Sequence, residues 1–299
     1  MSRLLTFGCS YTHYVWPTWS DFLSLNFQDY ENWAIPGLGN QAIFERLIEC
    51  HAKNPITKDD TVIVQWSGHM RFDFFNRHVL KDRTSNWRTS GSIFSQANKD
   101  ILDKKWQYLF FDEFGYIMHT LNYVHAIQNM LASIGCTWYM TSIGDLRKLG
   151  FDLVDNQDYA EKVKGIAKDT TAFTRYPDLS FYQDAVWERF QDHWLDPIQP
   201  YSVTNHKDKF YSFIATTGFG KDLHPSPFQQ KEWLNNIAAP KLNITINKEE
   251  QDNIVNSIED LYKALGANKI RTKFDDQLEV GNFNKPKKMN WPNTYKGLY

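Results

Sequence analysis

The 299-residue chain predicts an α/β fold in which helices cover both faces of a parallel sheet. Three observations predict it. Strand-like runs alternate with helix-like ones, the order that a parallel sheet with crossover connections produces. Thr61-Val62-Ile63-Val64-Gln65-Trp66 has an unbroken β-branched core, which suits a strand buried on both sides. Ser226-Pro227-Phe228-Gln229 reads as a capping box with proline at the first helical position, so a helix begins directly after His224.

The expected strands are Leu4 to Gly8, Tyr30 to Ile35, Thr61 to Trp66, Thr137 to Ile143 and Phe210 to Thr216. A helix over Pro17 to Leu25 follows the first strand. Asn40 is placed to cap another, whose Ile43, Phe44, Leu47 and Ile48 recur at helical spacing. A longer helix runs from about Tyr108 to Ile134, and Gly135 is placed to end it. The helix after His224 continues through Trp233, Leu234 and Ile237.

Two regions break the alternation. Residues 145 to 208, rich in Tyr, Asp, Trp and Pro, form a long insertion of the kind that carries a lid or specificity surface. Beyond Pro240, Asn247 and Glu250 form a second capping box, and Ile254, Ile258, Leu261 and Leu265 make one apolar stripe ended by Gly266. The expected division is a domain over 1–240 with a helical appendage and irregular arm over 241–299. That appendage either packs on the domain or makes a subunit or particle contact.

A net charge of -2 gives no electrostatic reason to expect a nucleic-acid or anionic-membrane partner. The opening Leu4-Leu5-Thr6-Phe7 is too short an apolar run for a signal peptide, and no window is long enough to span a bilayer. Cys9, Cys50 and Cys136 each sit in or beside an apolar run, so buried free thiols and a reducing compartment are expected. The eleven Trp and fifteen Tyr read first as core and lid packing, with sugar stacking as the alternative. Cys-x-x-Cys, His-Glu-x-x-His and calcium-loop spacings do not occur, and no cofactor is expected.

The chemistry is carried by a few polar residues at strand ends. Ser10 follows the first strand, on the edge where open α/β sheets place their ligands. A serine becomes a nucleophile when an imidazole takes its proton and a carboxylate fixes that imidazole. His224, one of nine histidines, stands out by its loop position, by Asp222 two residues earlier and by the helix start behind it. His13 and His69 are fallback bases. Cys9 is the rival nucleophile, but strand alternation turns it away from Ser10.

These residues resemble the SGNH (GDSL-type) serine hydrolases, whose four scattered blocks supply Ser, Gly, Asn and His in that order. Phe7-Gly8-Cys9-Ser10-Tyr11-Thr12 looks like the first block and is similar to the Gly-Cys-Ser-Tyr-Thr variety encoded by tailed phages. Asn32-Trp33-Ala34-Ile35-Pro36-Gly37 resembles the second, Val62 through His69 the third, and Asp222-Leu223-His224-Pro225-Ser226 the last. The resemblance covers roughly residues 1–240. It implies a flavodoxin-like three-layer α/β/α domain with a five-stranded parallel sheet, a catalytic Ser10-His224-Asp222 triad, and an oxyanion held by the amides of Ser10 and Gly37.

There are two departures from the family pattern. His69 stands where the third block offers an Asn, which leaves His69, Ser67 or Asn40 as the third oxyanion donor. The carboxylate that the family usually places three residues before the histidine is replaced there by Lys221, with Asp222 one place later. The expected activity is hydrolysis of an acyl or acetyl ester, on a small molecule or glycan, through an acyl-Ser10 intermediate. The expected setting is cytoplasmic synthesis without a signal peptide, and the resemblance to the phage-encoded variety leaves association with a phage particle open.

Two other readings compete. Gly37-Leu38-Gly39-Asn40-Gln41-Ala42 matches a relaxed dinucleotide fingerprint, but the next strand lacks the acidic residue that would hold a ribose. A glycan-binding or structural module on a hydrolase scaffold is the other class, since folds outlive their chemistry.

Overall fold

The computed structural model describes residues 3–14, 16–75, 87–92, 113–148, 179, 181–198 and 224–265. Among the described residues, four parallel strands form the main sheet: β1 (Arg3–Phe7), β2 (Asp29–Asn32), β3 (Thr61–Trp66) and β6 (Thr137–Ser142), in the order β2-β1-β3-β6. Thr6 pairs with Asn32, Phe7 with Val64 and Trp66 with Ser142, so β3 and β6 end together, two residues beyond the end of β1. Every residue of β3 is buried, as its β-branched composition predicts.

Parallel neighbours need long crossovers, and helices supply them. They are α1 (Trp19–Ser24), α2 (Asn40–Lys53) and α3 (Glu113–Ile134). Along α3, Ile117, Leu121, Val124 and Leu131 recur at three- to seven-residue steps and are buried. Gly135 ends the helix with φ of 76°, a conformation few residues besides glycine adopt, and its N–H bonds Leu131 O at 3.0 Å. Helices α2 and α3 pack on each other, and α1 packs on α4 (Pro227–Trp233).

The Ser226 capping box forms as expected: Ser226 Oγ accepts from Gln229 N–H at 3.3 Å, and Gln229 Oε1 accepts from Ser226 N–H at 2.9 Å. Helix α4 then passes through a π-helical turn, Leu234–Ala238, into α5 (Ala239–Leu242). Ala239 N–H reaches Leu234 O, five residues back, just before Pro240, whose nitrogen has no hydrogen to give. The helical run therefore crosses the boundary expected at residue 240 and stops at Asn243, in the left-handed conformation with φ of 53°.

Helix α6 (Lys248–Leu265) starts where Asn247 Oδ1 accepts from Glu250 N–H at 3.2 Å. Its first half packs on α4, with Ile254 and Val255 buried, Lys231 paired with Asp252, and Asn235 donating to Gln251 Oε1. Gly266 and the arm beyond it lie outside the described residues.

Two features differ from expectation, and one expected strand is not reached by the described residues. Arg71–Phe75 (β4) and Trp87–Ser92 (β5) form an antiparallel pair that the sequence reading missed. The fifth strand expected at Phe210 to Thr216 lies outside the described residues. Beside the edge of β6 opposite β3 runs the segment from Trp194 to Ile198, bridged in parallel to Met140, with Leu195 N–H on Met140 O and Ile198 N–H on Ser142 O. Val186, Trp187, Trp194, Leu195 and Ile198 are all buried, so this part of the expected lid insertion belongs to the core.

Cys9, Cys50 and Cys136 are free thiols and buried. Burial pushes the Cys50 thiol up to about 12 and that of Cys136 to about 11, which keeps both protonated near neutrality.

Candidate active site

In the order β2-β1-β3-β6 the connections from β1 and β3 diverge at the carboxyl edge, the crevice in which open parallel sheets bind ligands. Ser10 lies three residues past β1, and Ser67 directly follows β3. The loop from β1 turns at once, with Thr12 N–H and His13 N–H both donating to Cys9 O at 3.0 Å. Ser10, inside this turn, is largely buried.

A polar network fixes the turn from beneath. Thr18 Oγ1 lies 2.6 Å from Thr12 O, Ser20 Oγ 2.7 Å and Asn32 Nδ2 3.0 Å. Asn32 Oδ1 in turn accepts from Ala34 N–H, and Thr12 Oγ1 donates to Gln65 Oε1 at 2.5 Å. The Ser10 turn is thereby tied to the ends of β2 and β3, on which its position depends. His13 Nδ1 is 3.0 Å from Ala34 O, so this fallback base is tied to the backbone beside the turn. Cys9 is fully buried.

His224 is 214 residues away in sequence and meets Ser10 across the sheet edge: its Nε2 is 2.7 Å from Ser10 Oγ. A hydroxyl that donates to Nε2 leaves the neutral ring's own proton on Nδ1, the nitrogen a triad carboxylate would hold. Asp222, the expected carboxylate, lies outside the described residues. Three contacts dock the His224 segment onto the Ser10 loop. Trp16 Nε1 donates to Pro225 O at 2.9 Å, Gln230 Nε2 donates to Tyr11 O at 3.3 Å, and Trp19 N–H donates to Gln230 Oε1 at 3.2 Å.

Sequence reasoning missed these residues as parts of the site. Trp16 had been read as packing, and nothing local marks Gln230 as a partner of Tyr11. The aromatic rings around His224 were missed too. Tyr14 stacks on it at 4.1 Å between centroids, 20° from coplanar, and Tyr11 lies 5.1 Å away at 50°.

The other expected oxyanion residues lie in the Gly37 turn, at the start of α2 and just past β3. Ile35 to Leu38 forms a turn closed by Leu38 N–H on Ile35 O, with Pro36 and Gly37 at its centre and Gly37 at φ of 87°. Proline followed by a residue at positive φ is the type II pattern, so glycine is required at 37. The turn is braced from β4. Arg71 Nη1 donates to Leu38 O at 2.9 Å, and Asp73 accepts from Gly39 N–H at 2.9 Å and Ala42 N–H at 3.2 Å.

Asp73 therefore supplies the cap of α2, and Asn40 does not. Gly39 is the N-cap residue and Asn40 the first residue of the helix. The Asn40 side chain instead clamps the end of β3: Oδ1 accepts from Ser67 N–H at 2.7 Å, and Nδ2 donates to Ser67 O and to Thr120 Oγ1, each at 3.1 Å. Both amide hydrogens are committed, which removes Asn40 as an oxyanion donor. Ser67 Oγ is sealed in the interior. His69 is half-buried in the turn between β3 and β4, where Arg71 N–H bonds Gly68 O at 3.3 Å.

Burial raises the Asp73 carboxyl to about 6, against the pull of its bonds from Gly39 and Ala42 and of nearby Arg71. Among the described residues no group of three or more His, Cys, Asp and Glu is placed to hold a metal ion, and no helix is long and apolar enough to cross a membrane.

No protein-family model matches the chain, and no curated protein is similar enough to count as a match. The functional reading therefore rests on the chain's own geometry.

Proposed function

We propose that this chain is a serine ester hydrolase of the SGNH type. The observation that carries the reading is the 2.7 Å contact between Ser10 Oγ and His224 Nε2. Two residues so far apart in sequence meet as nucleophile and base at the ligand-binding edge of the sheet. The flavodoxin-like three-layer arrangement is part of the same proposal, supported by the parallel order β2-β1-β3-β6 and by the two helix pairs.

In this reading His224 Nε2 takes the Ser10 proton as Oγ attacks the ester carbonyl carbon. The resulting imidazolium gives that proton to the departing alcohol, which leaves an acyl-Ser10. Water then attacks the acyl carbon, giving a proton to His224; the bond from that carbon to Ser10 Oγ breaks, His224 returns the proton to Oγ, and the acid is released. Asp222 is the carboxylate that the family resemblance assigns to His224 Nδ1–H. The amides of Ser10 and Gly37 hold the oxyanion, and His69 is the side chain left as third donor once Asn40 is committed to Ser67. The substrate class is an acyl or acetyl ester, with a carbohydrate alcohol preferred.

Intact-mass measurement after treatment with a fluorophosphonate tests the reading. The wild type is expected to gain one adduct, and Ser10→Ala none. Turnover of an acetyl ester is expected to fall on the order of 10⁴–10⁶-fold in Ser10→Ala and His224→Ala. An unmodified wild type, or an equal adduct on Ser10→Ala, rejects Ser10 as nucleophile.

A further inference from the structure

We infer that Tyr14 is a positioning residue for His224, and that its ring, not its hydroxyl, performs the task. The inference rests on the hydrolase reading above and adds to it a residue that neither the motif blocks nor the triad geometry contains. The Tyr14 ring lies nearly parallel to the imidazole, 20° off, with centroids 4.1 Å apart, while Tyr11 approaches at 5.1 Å and 50°. Tyr14 is itself held by Trp16, which meets it edge-on at 4.6 Å. Trp16 in turn is fully buried and donates to Pro225 O, the carbonyl next to His224.

Tyr14 ring, Trp16 indole and Pro225 carbonyl thus link the face of the imidazole to the backbone that follows it. Imidazole turns easily about its side-chain bonds, and Nε2 serves Ser10 only in a narrow range of those angles. A face-parallel ring resists that rotation. The same face also attracts the positive charge that His224 carries once it has taken the Ser10 proton. Both effects act on the transition state and need no contact between Tyr14 and substrate. A phenylalanine should therefore replace Tyr14 and an aliphatic residue should not.

The test compares wild type, Tyr14→Phe and Tyr14→Leu by the rate of fluorophosphonate labelling at Ser10 and by kcat and KM on p-nitrophenyl acetate. Tyr14→Phe should label within about twofold of wild type, and Tyr14→Leu about tenfold more slowly, the scale of one stacked cation–ring contact. In Tyr14→Leu the loss should fall on kcat with KM little changed. Should the leucine variant fail to fold cooperatively, Tyr14→Met fills the volume without a ring and decides in the same way.

Leucine or methionine variants that label as fast as wild type overturn the inference. So does a Tyr14→Phe variant as slow as Tyr14→Leu, because the hydroxyl would then carry the effect. Either result with a labelled wild type fails Tyr14 alone, whereas an unlabelled wild type fails the Ser10 reading beneath it.

Discussion

Gly8 has no room for a side chain: a Cβ there would stand 2.2 Å from Thr12 Oγ1 and 2.9 Å from Thr12 Cβ. Thr12 has little freedom to retreat, since its hydroxyl bonds Gln65 and its carbonyl takes Asn32. Gly8→Ala should therefore cost about 1–3 kcal/mol, the scale of overpacking a filled site, in chemical denaturation. Fluorophosphonate labelling of Ser10, two residues on, should slow with it. Asp73 makes a pH argument at the same scale. Its carboxyl titrates near 6 in the fold, above its ordinary value near 3.8, with burial as the main cause and Arg71, Glu45 and the Gly39 and Ala42 amides as its surroundings. Between those values the folded protein binds the extra proton, so this group's contribution to stability is full below about pH 4 and lost as pH rises through 6. The stability of wild type minus that of Asp73→Asn should fall by ~1–3 kcal/mol from pH 4 to pH 7. A difference that is flat or rises over that range contradicts the assignment. Neither residue's role was fully legible in the sequence. Gly8 reads only as part of a serine motif, and nothing local marks Asp73, because the atoms that define their roles come from Thr12 and from α2. Asn40 misled for the same reason, since a capping residue type at a helix start was recruited by Ser67 instead.

At the scale of elements, β1, β3, β6 and the start of α4 were legible because local pattern and tertiary role agree there. The β-branched run of β3 is buried throughout, and Ser226 and Gln229 close their reciprocal cap without help from distant residues. The β4–β5 pair was not legible: Asp73 is a poor strand residue on propensity and sits in β4 because α2 needs a carboxylate there. The Trp194–Ile198 edge was missed for a similar reason, since Asp196 and Pro197 break any strand pattern while the flanking Leu195 and Ile198 N–H groups find Met140 O and Ser142 O on β6. The Ser226 cap also bears on the site, because it fixes the first turn of the helix immediately behind His224. Ser226→Ala should cost about 1 kcal/mol, as loss of an N-cap side chain does. It should slow Ser10 labelling as well, whereas Asn247→Ala, the same kind of change at the start of α6, should leave labelling unaltered. Equal effects of the two on labelling would mean that helix stability alone, and not the placement of His224, is being read.

At the scale of the whole molecule, the two ends of the sheet hold different things. The carboxyl edge carries Ser10, His224 and the Gly37 turn. The amino edge carries an ion-pair cluster in which Arg3 donates to Asp60 through Nε at 3.1 Å and Nη2 at 2.8 Å, reaches Glu31 at 3.4 Å, and bonds Pro55 O. Burial pushes the Asp60 carboxyl up, but the bonds from Arg3 and Thr57 outweigh it, so the group sits below its ordinary value. Its contribution is then present above about pH 4 and is lost as the pH falls and the carboxylate protonates. Arg3 and Asp60 side chains are only 11% and 6% exposed, so Asp60→Asn should cost about 1–3 kcal/mol at pH 7, between an exposed and a fully buried pair. The cost should shrink toward pH 3, as wild type loses the charge that the variant never had. Within this cluster Arg3 starts β1 and Asp60 directly precedes β3, so this pair stands a strand's length from Ser10, and changes that share no partner add independently. The folded Asp60→Asn protein should therefore label with a fluorophosphonate at the wild-type rate at temperatures well below its lowered Tm. If labelling of the folded variant slows with the loss of stability, the amino edge is coupled to the placement of Ser10 through β1, and the separation of stability from reactivity fails.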